Sequence, residues 1–477
     1  MESNDQLQHH IDTIVDATPA VESAYADKLK LLLPHAVREG TITRAQAVGL
    51  LGGAVSNDTL KRTFNAGIDA ELLLRFGSAR ATAYAPSAAL LRRVRELELR
   101  QRAQPAGPIT YNSEWLSSYR PNIDRLLSDR ARATLMEHAQ RTRASTGKLS
   151  GRVQHEFLID VSFASSWLEG NHYSLADTRD LIENGLVPAN VSKEETQMIL
   201  NHHRAASFLV SNTVGLNGAA PDLPLSIDAR TVREIHSLLS QGLLKRDDLC
   251  GAIRDHAVEI TSSAYQPPGT RQEIEPIFRM VCQQAAAIED PLEQAFFILT
   301  HLPYLQPFSD CNKRTARIAS NIPLLRAGLH PISWMGVDED QYIDAILAVY
   351  EHNDTTLLEQ MFVETMITSG ERLREQARMS PARLQLKARY AHALEKSIRE
   401  VVLDNEDIAT VDRPHDMRPR DAIVYAAIIR DAVERIMRNP LLAPEYNMRS
   451  QDVLQSMVYA HYLQGAQAQA RAHRMRG

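Results

Sequence analysis

The chain runs to 477 residues, length for roughly three domains of about 150 residues each, so one function need not account for all of it. Hydrophobic residues make up 44% and charged residues 23%, the balance of a folded chain, and a formal net charge of −6 excludes one long basic surface of the kind that coats nucleic acid. Cys250, Cys282 and Cys311 lack the paired spacings of a zinc site or a disulfide framework. Met1 to Asp16 is polar and acidic with no apolar core behind a basic start, and no run approaches about 18 consecutive apolar residues; the expectation is a cytoplasmic protein with no membrane partner.

Residues 22–84 read as helices followed by a short hairpin. Ser56 is placed as the N-cap of a helix through Asn57-Asp58-Thr59-Leu60-Lys61-Arg62, and Gly67 is expected to end it. Leu72-Leu73-Leu74 then gives a short apolar strand, Gly77-Ser78 a turn, and Arg80-Ala81-Thr82-Ala83-Tyr84 the returning strand. The order resembles a winged helix-turn-helix domain. Two readings follow from that resemblance. In one, the helix from Asn57 enters the major groove and Lys61, Arg62, Arg75 and Arg80 face DNA phosphates; in the other, the same small fold docks a protein or a second copy. Leu90, Leu91, Val94, Leu97 and Leu99 alternate with arginines until Pro105, Gly107 and Pro108 interrupt, so residues 1–104 are read as one domain with a linker helix.

From there to about Ser369 the pattern is almost wholly helical, a bundle spanning 105–369. The exception is Ala257-Val258-Glu259-Ile260-Thr261, which reads as strand and is closed by Pro267-Pro268-Gly269 into a small hairpin flap. Residues 370–477 form a helical extension rich in Ala, Arg, Glu and Leu, broken near Val411-Asp412-Arg413-Pro414 and near Asn439-Pro440. The fold class is therefore mainly α.

The chemistry concentrates at Gln306-Pro307-Phe308-Ser309-Asp310-Cys311-Asn312-Lys313-Arg314-Thr315-Ala316-Arg317. Asp310-Cys311-Asn312 reads as a turn into a helix whose first N–H groups carry the positive end of the dipole. Lys313 adds a point charge, and Arg314 and Arg317, three residues apart, share a helix face and form a clamp for two phosphates. Asp310 is then the ligand of a Mg²⁺ held between one carboxylate and the phosphates. Taken alone, the same residues also describe a capped helix start with a charged surface.

The segment resembles the Fic signature, His-Pro-Phe-x-Asp/Glu-Gly-Asn-Gly-Arg followed after two residues by Arg, which Pro307, Phe308, Asp310, Asn312, Arg314 and Arg317 match. The likeness extends over about residues 110–368, with Gly251-Ala252-Ile253-Arg254, a flap and Pro267-Pro268 in order. It implies a helical bundle that binds ATP or another nucleoside triphosphate with Mg²⁺ and transfers AMP, or another NMP, to a hydroxyl of a target protein. Three positions depart. Gln306 stands where the family has its catalytic histidine, and a carboxamide accepts no proton near neutral pH. Cys311 and Lys313 replace two glycines, and Lys313 brings the segment closer to the Asn-Lys-Arg of the kinase-like Doc branch. His301, five residues before Gln306, and His256 in the flap segment are the candidate alternative proton acceptors; His301 is expected to pack in the bundle with its hydrogen bonds satisfied.

Ser165-Ser166-Trp167-Leu168-Glu169-Gly170-Asn171 is similar to the family's inhibitory motif, which implies that Glu169 pairs with Arg317 and blocks the γ-phosphate, with Ser165 and Gly170 framing it. A helix end capped by Gly170 is equally in keeping with the residues. The flap residues Ile260, Thr261 and Ser262 are expected to add an edge strand to an extended target segment. Three functions remain open: a restrained nucleotidyltransferase, a nucleotide-sensing pseudoenzyme that reports to the amino-terminal domain and through it to DNA, and a Doc-like protein kinase that moves the γ-phosphate. The resemblance also leaves a homodimer open.

Overall fold

The computed structural model describes residues 4–53, 55–70, 72–76, 82–87, 90–91, 93–94, 97, 107–146, 151–215, 225–260, 263–456, 458–459 and 462. The chain divides into two compact units, Met1–Ala106 and Gly107–Gly477.

In the first unit α1 (Asn4–Asp16) and α2 (Ser23–Glu39) precede β1 (Ile42–Thr43), α3 (Arg44–Leu50), α4 (Asn57–Asp69), β2 (Leu73–Phe76) and β3 (Ala83–Pro86). Thr43 and Gln46 make a capping box at α3, and the Ser56 hydroxyl accepts from Thr59 N at 3.1 Å, the cap expected from sequence. The strands form one antiparallel sheet in the order β1-β3-β2, with Ile42 opposite Tyr84 and Leu74 opposite Ala85. Tyr84 of β3 stacks on Phe64 of α4 with centroids 3.7 Å apart, which seats the sheet on the helix. Gly67 does not end α4: the helix continues to Asp69, and Gly67 is the point where α4 meets β2 and α2. A Cβ there would lie 2.9 Å from Leu73 Cδ1 and 3.0 Å from Leu29 Cδ2, so its small size is used for packing and not for a left-handed cap. The turn expected at Gly77-Ser78, and Arg80, lie outside the described residues.

The second unit is built around a helix that is apolar on every side. After β4 (Ile109–Thr110) come α5 (Ser113–Ser117), α6 (Asp129–Thr146), α7 (Gly151–Trp167), α8 (Leu175–Asn184), α9 (Lys193–Thr213), α10 (Ala229–Ser240), β5 (Tyr265–Gln266), α11 (Arg271–Ala287) and α12 (Pro291–Leu305). Asp290 caps α12 and Pro291 begins it; from Leu292 to Leu305 every residue is buried, so α12 is the bundle's axis. Next are α13 (Asn312–Ala319), α14 (Asn321–Arg326), α15 (Glu339–His352) and α16 (Thr356–Arg378).

Two expectations are corrected here. The flap is not a hairpin among the described residues: Ala257 to Ile260 has no regular secondary structure and no partner strand, and in this segment only Tyr265–Gln266 forms a ladder, parallel to Ile109–Thr110. A β-rich stretch forms a ladder only where an edge lies beside it, and here β4 supplies one for two residues alone. Thr261 and Ser262 lie outside the described residues. The boundary at 369 falls inside α16, a continuous helix, so the extension begins without a linker. That extension comprises α17 (Pro381–Arg389), α18 (Ala391–Leu403), α19 (Pro419–Arg438), a 3-10 turn at Pro440–Tyr446 and α20 (Ser450–Gln455), around Leu394, Ile398, Tyr425 and Ile429. The interruptions fall at Val411–Pro414 and at Asn439-Pro440, as the sequence suggested. Arg372 of α16 binds Asp160 of α7 at 2.5 Å and Glu445 at 2.7 Å, so bundle and extension share a buried ion triad.

Candidate functional site

The site begins where α12 stops. Gln306 closes the helix in the left-handed region at φ 51°, and Cys311 takes φ 59° immediately before α13. Both positions carry side chains where glycine would be the unstrained choice, so something else must hold the six-residue loop. Asn312 does part of this. Its Oδ1 accepts from Phe308 N at 3.0 Å, and its Nδ2 donates to Phe308 O at 2.9 Å and to Gln306 Oε1 at 2.7 Å.

Arg254 does the rest. Its backbone N donates to Pro307 O at 3.0 Å, its Nε donates to Gln306 O at 2.6 Å, its Nη2 donates to Pro268 O at 2.5 Å and its Nη1 donates to His256 O. The guanidinium is buried with no carboxylate in ion-pair range among the described residues, and burial pulls it down to about 10. One buried cation therefore ties the signature loop to the flap. His236 of α10 adds a third brace by stacking on Phe308, with centroids 3.8 Å apart. Its Nδ1 accepts from Gly251 N at 2.9 Å, so the proton sits on Nε2, which donates to Asp310 O at 3.2 Å. Burial pushes His236 down to about 4, which keeps that tautomer neutral.

The signature's cations converge on one carboxylate. Arg317, fully buried, donates from Nη2 to Glu169 Oε1 at 2.8 Å and to Ser165 O at 2.9 Å, from Nε to Ser165 Oγ at 2.9 Å, and from Nη1 to Tyr342 OH at 3.1 Å. Glu169 Oε2 stands 3.7 Å from Lys313 Nζ and 4.0 Å from Arg314 Nε. Burial would raise Glu169, but Arg317, Lys313 and Arg314 outweigh it and hold the carboxyl at about 2. Gly170 follows at φ 78°, so the helix-end reading and the pairing reading describe one structure. Ser165 is buried and contributes both its hydroxyl and its carbonyl oxygen to Arg317.

Asp310 lies at the helix start with its side chain 60% exposed; it accepts from Cys311 N at 2.5 Å and from Arg314 Nη2 at 2.9 Å. The Cys311 thiol is pushed up to about 12 by burial, which removes it as a nucleophile. Two donors remain over: Arg314 Nε and Ser309 Oγ are buried with no hydrogen-bond partner among the described residues. Leftover donors beside a helix start fit an anion, and one exposed carboxylate fits Mg²⁺ shared with phosphate oxygens. No group of three or more His, Cys, Asp or Glu side chains is placed to hold a metal ion among the described residues.

Gln306 is occupied at both ends. Its Oε1 accepts from Asn312 and its Nε2 donates to Tyr350 OH at 2.9 Å. His301 offers no substitute base: it lies wholly inside, 4.4 Å from the Phe297 ring and 4.6 Å from the Trp115 ring. Neither of its ring nitrogens has a partner among the described residues, against the satisfied hydrogen bonds expected, and burial pushes it down to about 3. Aromatic packing took the space a polar partner would need. His256 is exposed. Ile260 is half-buried, and Lys61 and Arg62 are exposed, with Arg62 2.8 Å from Asp58. Sequence reasoning missed His236, Tyr342, Tyr350 and Ser309. Nothing local marks the first three, because their roles depend on which helices pack against the loop.

Residues 226–324 match the model of the Fic/DOC family. They form a Fic/DOC domain. The match takes in the whole signature, together with His236 and Arg254, and stops short of Glu169. Around that domain the chain is 25% identical over 248 residues to "Protein adenylyltransferase Fic" of Aedes aegypti, covering 48% of each chain. It is 26% identical over 168 residues to "Protein adenylyltransferase fic-1" of Caenorhabditis elegans, covering 35% of this chain and 31% of that one. The chain thus spans about half or less of the length of these relatives. Among solved structures, Fic-1 from C. elegans aligns at a TM-score of 0.45 and 16% identity, covering 79% of this chain and 100% of that chain. A Fic family protein from Desulfovibrio desulfuricans G20 aligns at 0.44 and 15%, covering 68% and 92%. No helix among the described residues is long and apolar enough to cross a membrane.

Proposed function

We propose that the Fic/DOC domain binds ATP at the start of α13 and transfers AMP to a protein hydroxyl, the α–β phosphoanhydride bond breaking and pyrophosphate leaving, and that Glu169 holds this activity off. The observation that carries the reading is the convergence of Lys313, Arg314 and Arg317 on the Glu169 carboxylate. A triphosphate and Glu169 compete for the same three cations, so a bound Glu169 weakens or misplaces the phosphates. The nucleotide, with Mg²⁺ on Asp310, supplies the transferable AMP and the metal charge that offsets its phosphates. Arg314 Nε and Ser309 Oγ then donate to phosphate oxygens, and Arg254 keeps the loop that presents them in place. The relatives' printed names, protein adenylyltransferases, favour AMP over phosphate as the group moved.

Gln306 limits the rate. It orients a target hydroxyl through its carboxamide and accepts no proton, and losing a general base costs about 10² to 10⁴ in rate. A second reading is favoured by the closed hydrogen bonding of Gln306 to Asn312 and Tyr350: a nucleotide sensor without transfer. The amino-terminal unit would be its output; the resemblance to a winged helix, with α2, β1, α3, α4, β2 and β3 in that order, supports this reading. Intact mass after incubation with Mg²⁺ and ATP, GTP, CTP or UTP separates the readings. A nucleotidyl mass gained by the Glu169→Gly form and lost on Asp310→Ala supports transfer, and a phosphoryl mass would point to the Doc-like reaction. Nucleotide binding with no mass gained rejects transfer in favour of sensing.

A further inference from the structure

The carboxyl-terminal helices close a cavity against α7 and α8. Its walls come from these two helices and from α16, α17, α18 and α19, around a cavity of about 80 Å³. That is room for a small ligand. Its body is apolar, lined by Leu175, Leu384, Leu394, Ile398 and Ile428.

The charged part of the lining resolves into ion pairs. Arg179 binds Glu156 at 2.6 Å; Arg372 lies between Asp160 and Glu445; Arg435 reaches Glu375 and Glu445, each at 3.2 Å. Lys387 is left over. It lines the same cavity, and among the described residues no carboxylate lies within 4.0 Å of its Nζ. Burial, with Arg372 and Arg435 nearby, pushes Lys387 down from the ordinary lysine range against the opposing pull of Glu375 and Glu445. Glu395, also in the lining, is raised by burial; its Oε2 has no hydrogen-bond partner among the described residues. A half-buried ammonium with guanidinium groups nearby and no carboxylate in contact gains from an anion that pairs with it.

We propose that this cavity binds a small amphipathic monocarboxylate, its carboxylate paired with Lys387 and its hydrocarbon body against Leu384, Leu394 and Ile398. An amine of the same length is repelled by Lys387 and the flanking arginines, and an alcohol fills the apolar part without the ion pair. Because Glu156 lies on α7, the helix that also carries Ser165, the ligand would brace the extension against the helix behind the Glu169 contact. The site is independent of nucleotide transfer and stands whether or not the chain proves to be an enzyme.

The test is titration calorimetry on the full chain with hexanoate, hexan-1-ol and hexylamine. Hexanoate is expected to bind at least tenfold tighter than hexan-1-ol, with hexylamine weakest. Lys387→Met, close in shape and uncharged, should reduce hexanoate to the level of the alcohol, and Leu394→Trp, which fills the cavity, should remove binding of both. Hexanoate binding no tighter than hexan-1-ol to the unaltered protein overturns the proposal, without reliance on any variant. So does unchanged hexanoate affinity in a folded Lys387→Met protein.

Discussion

Glu169 Oε1 lies 2.8 Å from Arg317 Nη2, and with 148 positions separating the two the pair is held by tertiary packing, α7 and α13 both resting on α9. Arg317 is fully buried and is also fastened by both Ser165 oxygens and Tyr342 OH, so the arginine is pre-set and the glutamate is the part that can leave. Replacing Glu169 with Gly should therefore free Arg317 without moving it. The expected result is about tenfold tighter binding of Mg·ATP, the order of one charge-assisted contact regained. Equilibrium binding on the two proteins decides; equal affinities would detach Glu169 from nucleotide control.

The same contact predicts a pH dependence. Glu169 sits at about 2 against an ordinary 4.5, a depressed carboxyl. Its contribution is present above the unfolded value and is lost as pH falls toward the folded one, the window from about 4.5 down to about 2. The linkage amounts to roughly 3 kcal/mol at neutral pH. Unfolding free energies of the unaltered and Glu169→Gln proteins should differ most at pH 6 and converge as pH is lowered. A gap that stays constant with pH would assign the stability to packing instead.

Gln306→His restores an imidazole where the carboxamide now bridges Asn312 and Tyr350. In a Glu169→Gly background the substitution should raise self-labelling by about 100-fold or more. Asn312 would lose its Gln306 Oε1 acceptor but keep both bonds to Phe308, so nucleotide affinity should change little while the rate rises. Single-turnover kinetics separates the two quantities, and a rise in affinity without a rise in rate would remove Gln306 as the limit on chemistry.

Arg254→Lys keeps the charge and loses the fork. One ammonium cannot reach Gln306 O, Pro268 O and His256 O with the geometry of three guanidinium nitrogens. Two buried carbonyls should be left unpaired, at a cost of about 2–4 kcal/mol, read as a lowered urea midpoint. Nucleotide binding should weaken with it, since the loop holding Asp310 and Asn312 is fastened through Gln306 and Pro307. A Lys variant with unaltered stability would show that Asn312 and His236 hold the loop without the guanidinium.

Local structure was legible from the residues: the Ser56 cap, the interruptions at Val411–Pro414 and Asn439-Pro440, and the turn at Asp310 to Asn312 leading into a helix. Each of these is decided by atoms within a few positions along the chain. Gly67 was misread because its preference for a helix end and its use as a close-packing point look alike until Leu73 and Leu29 are in place. The flap was misread for the related reason that a strand is a property of two segments, and Ala257 to Ile260 has only itself.

The sequence by itself determined that a helical bundle carries a helix start with Lys313, Arg314 and Arg317 shortly after Gln306, because residue types and their spacing are fixed along the chain. The tertiary structure alone decided what surrounds that motif. Arg254 as a clamp, His236 with its proton on Nε2, His301 sealed among rings and Lys387 without a counter-ion all depend on which distant helices share a face. Burial and pairing are relations between segments, and no window along the chain contains both partners.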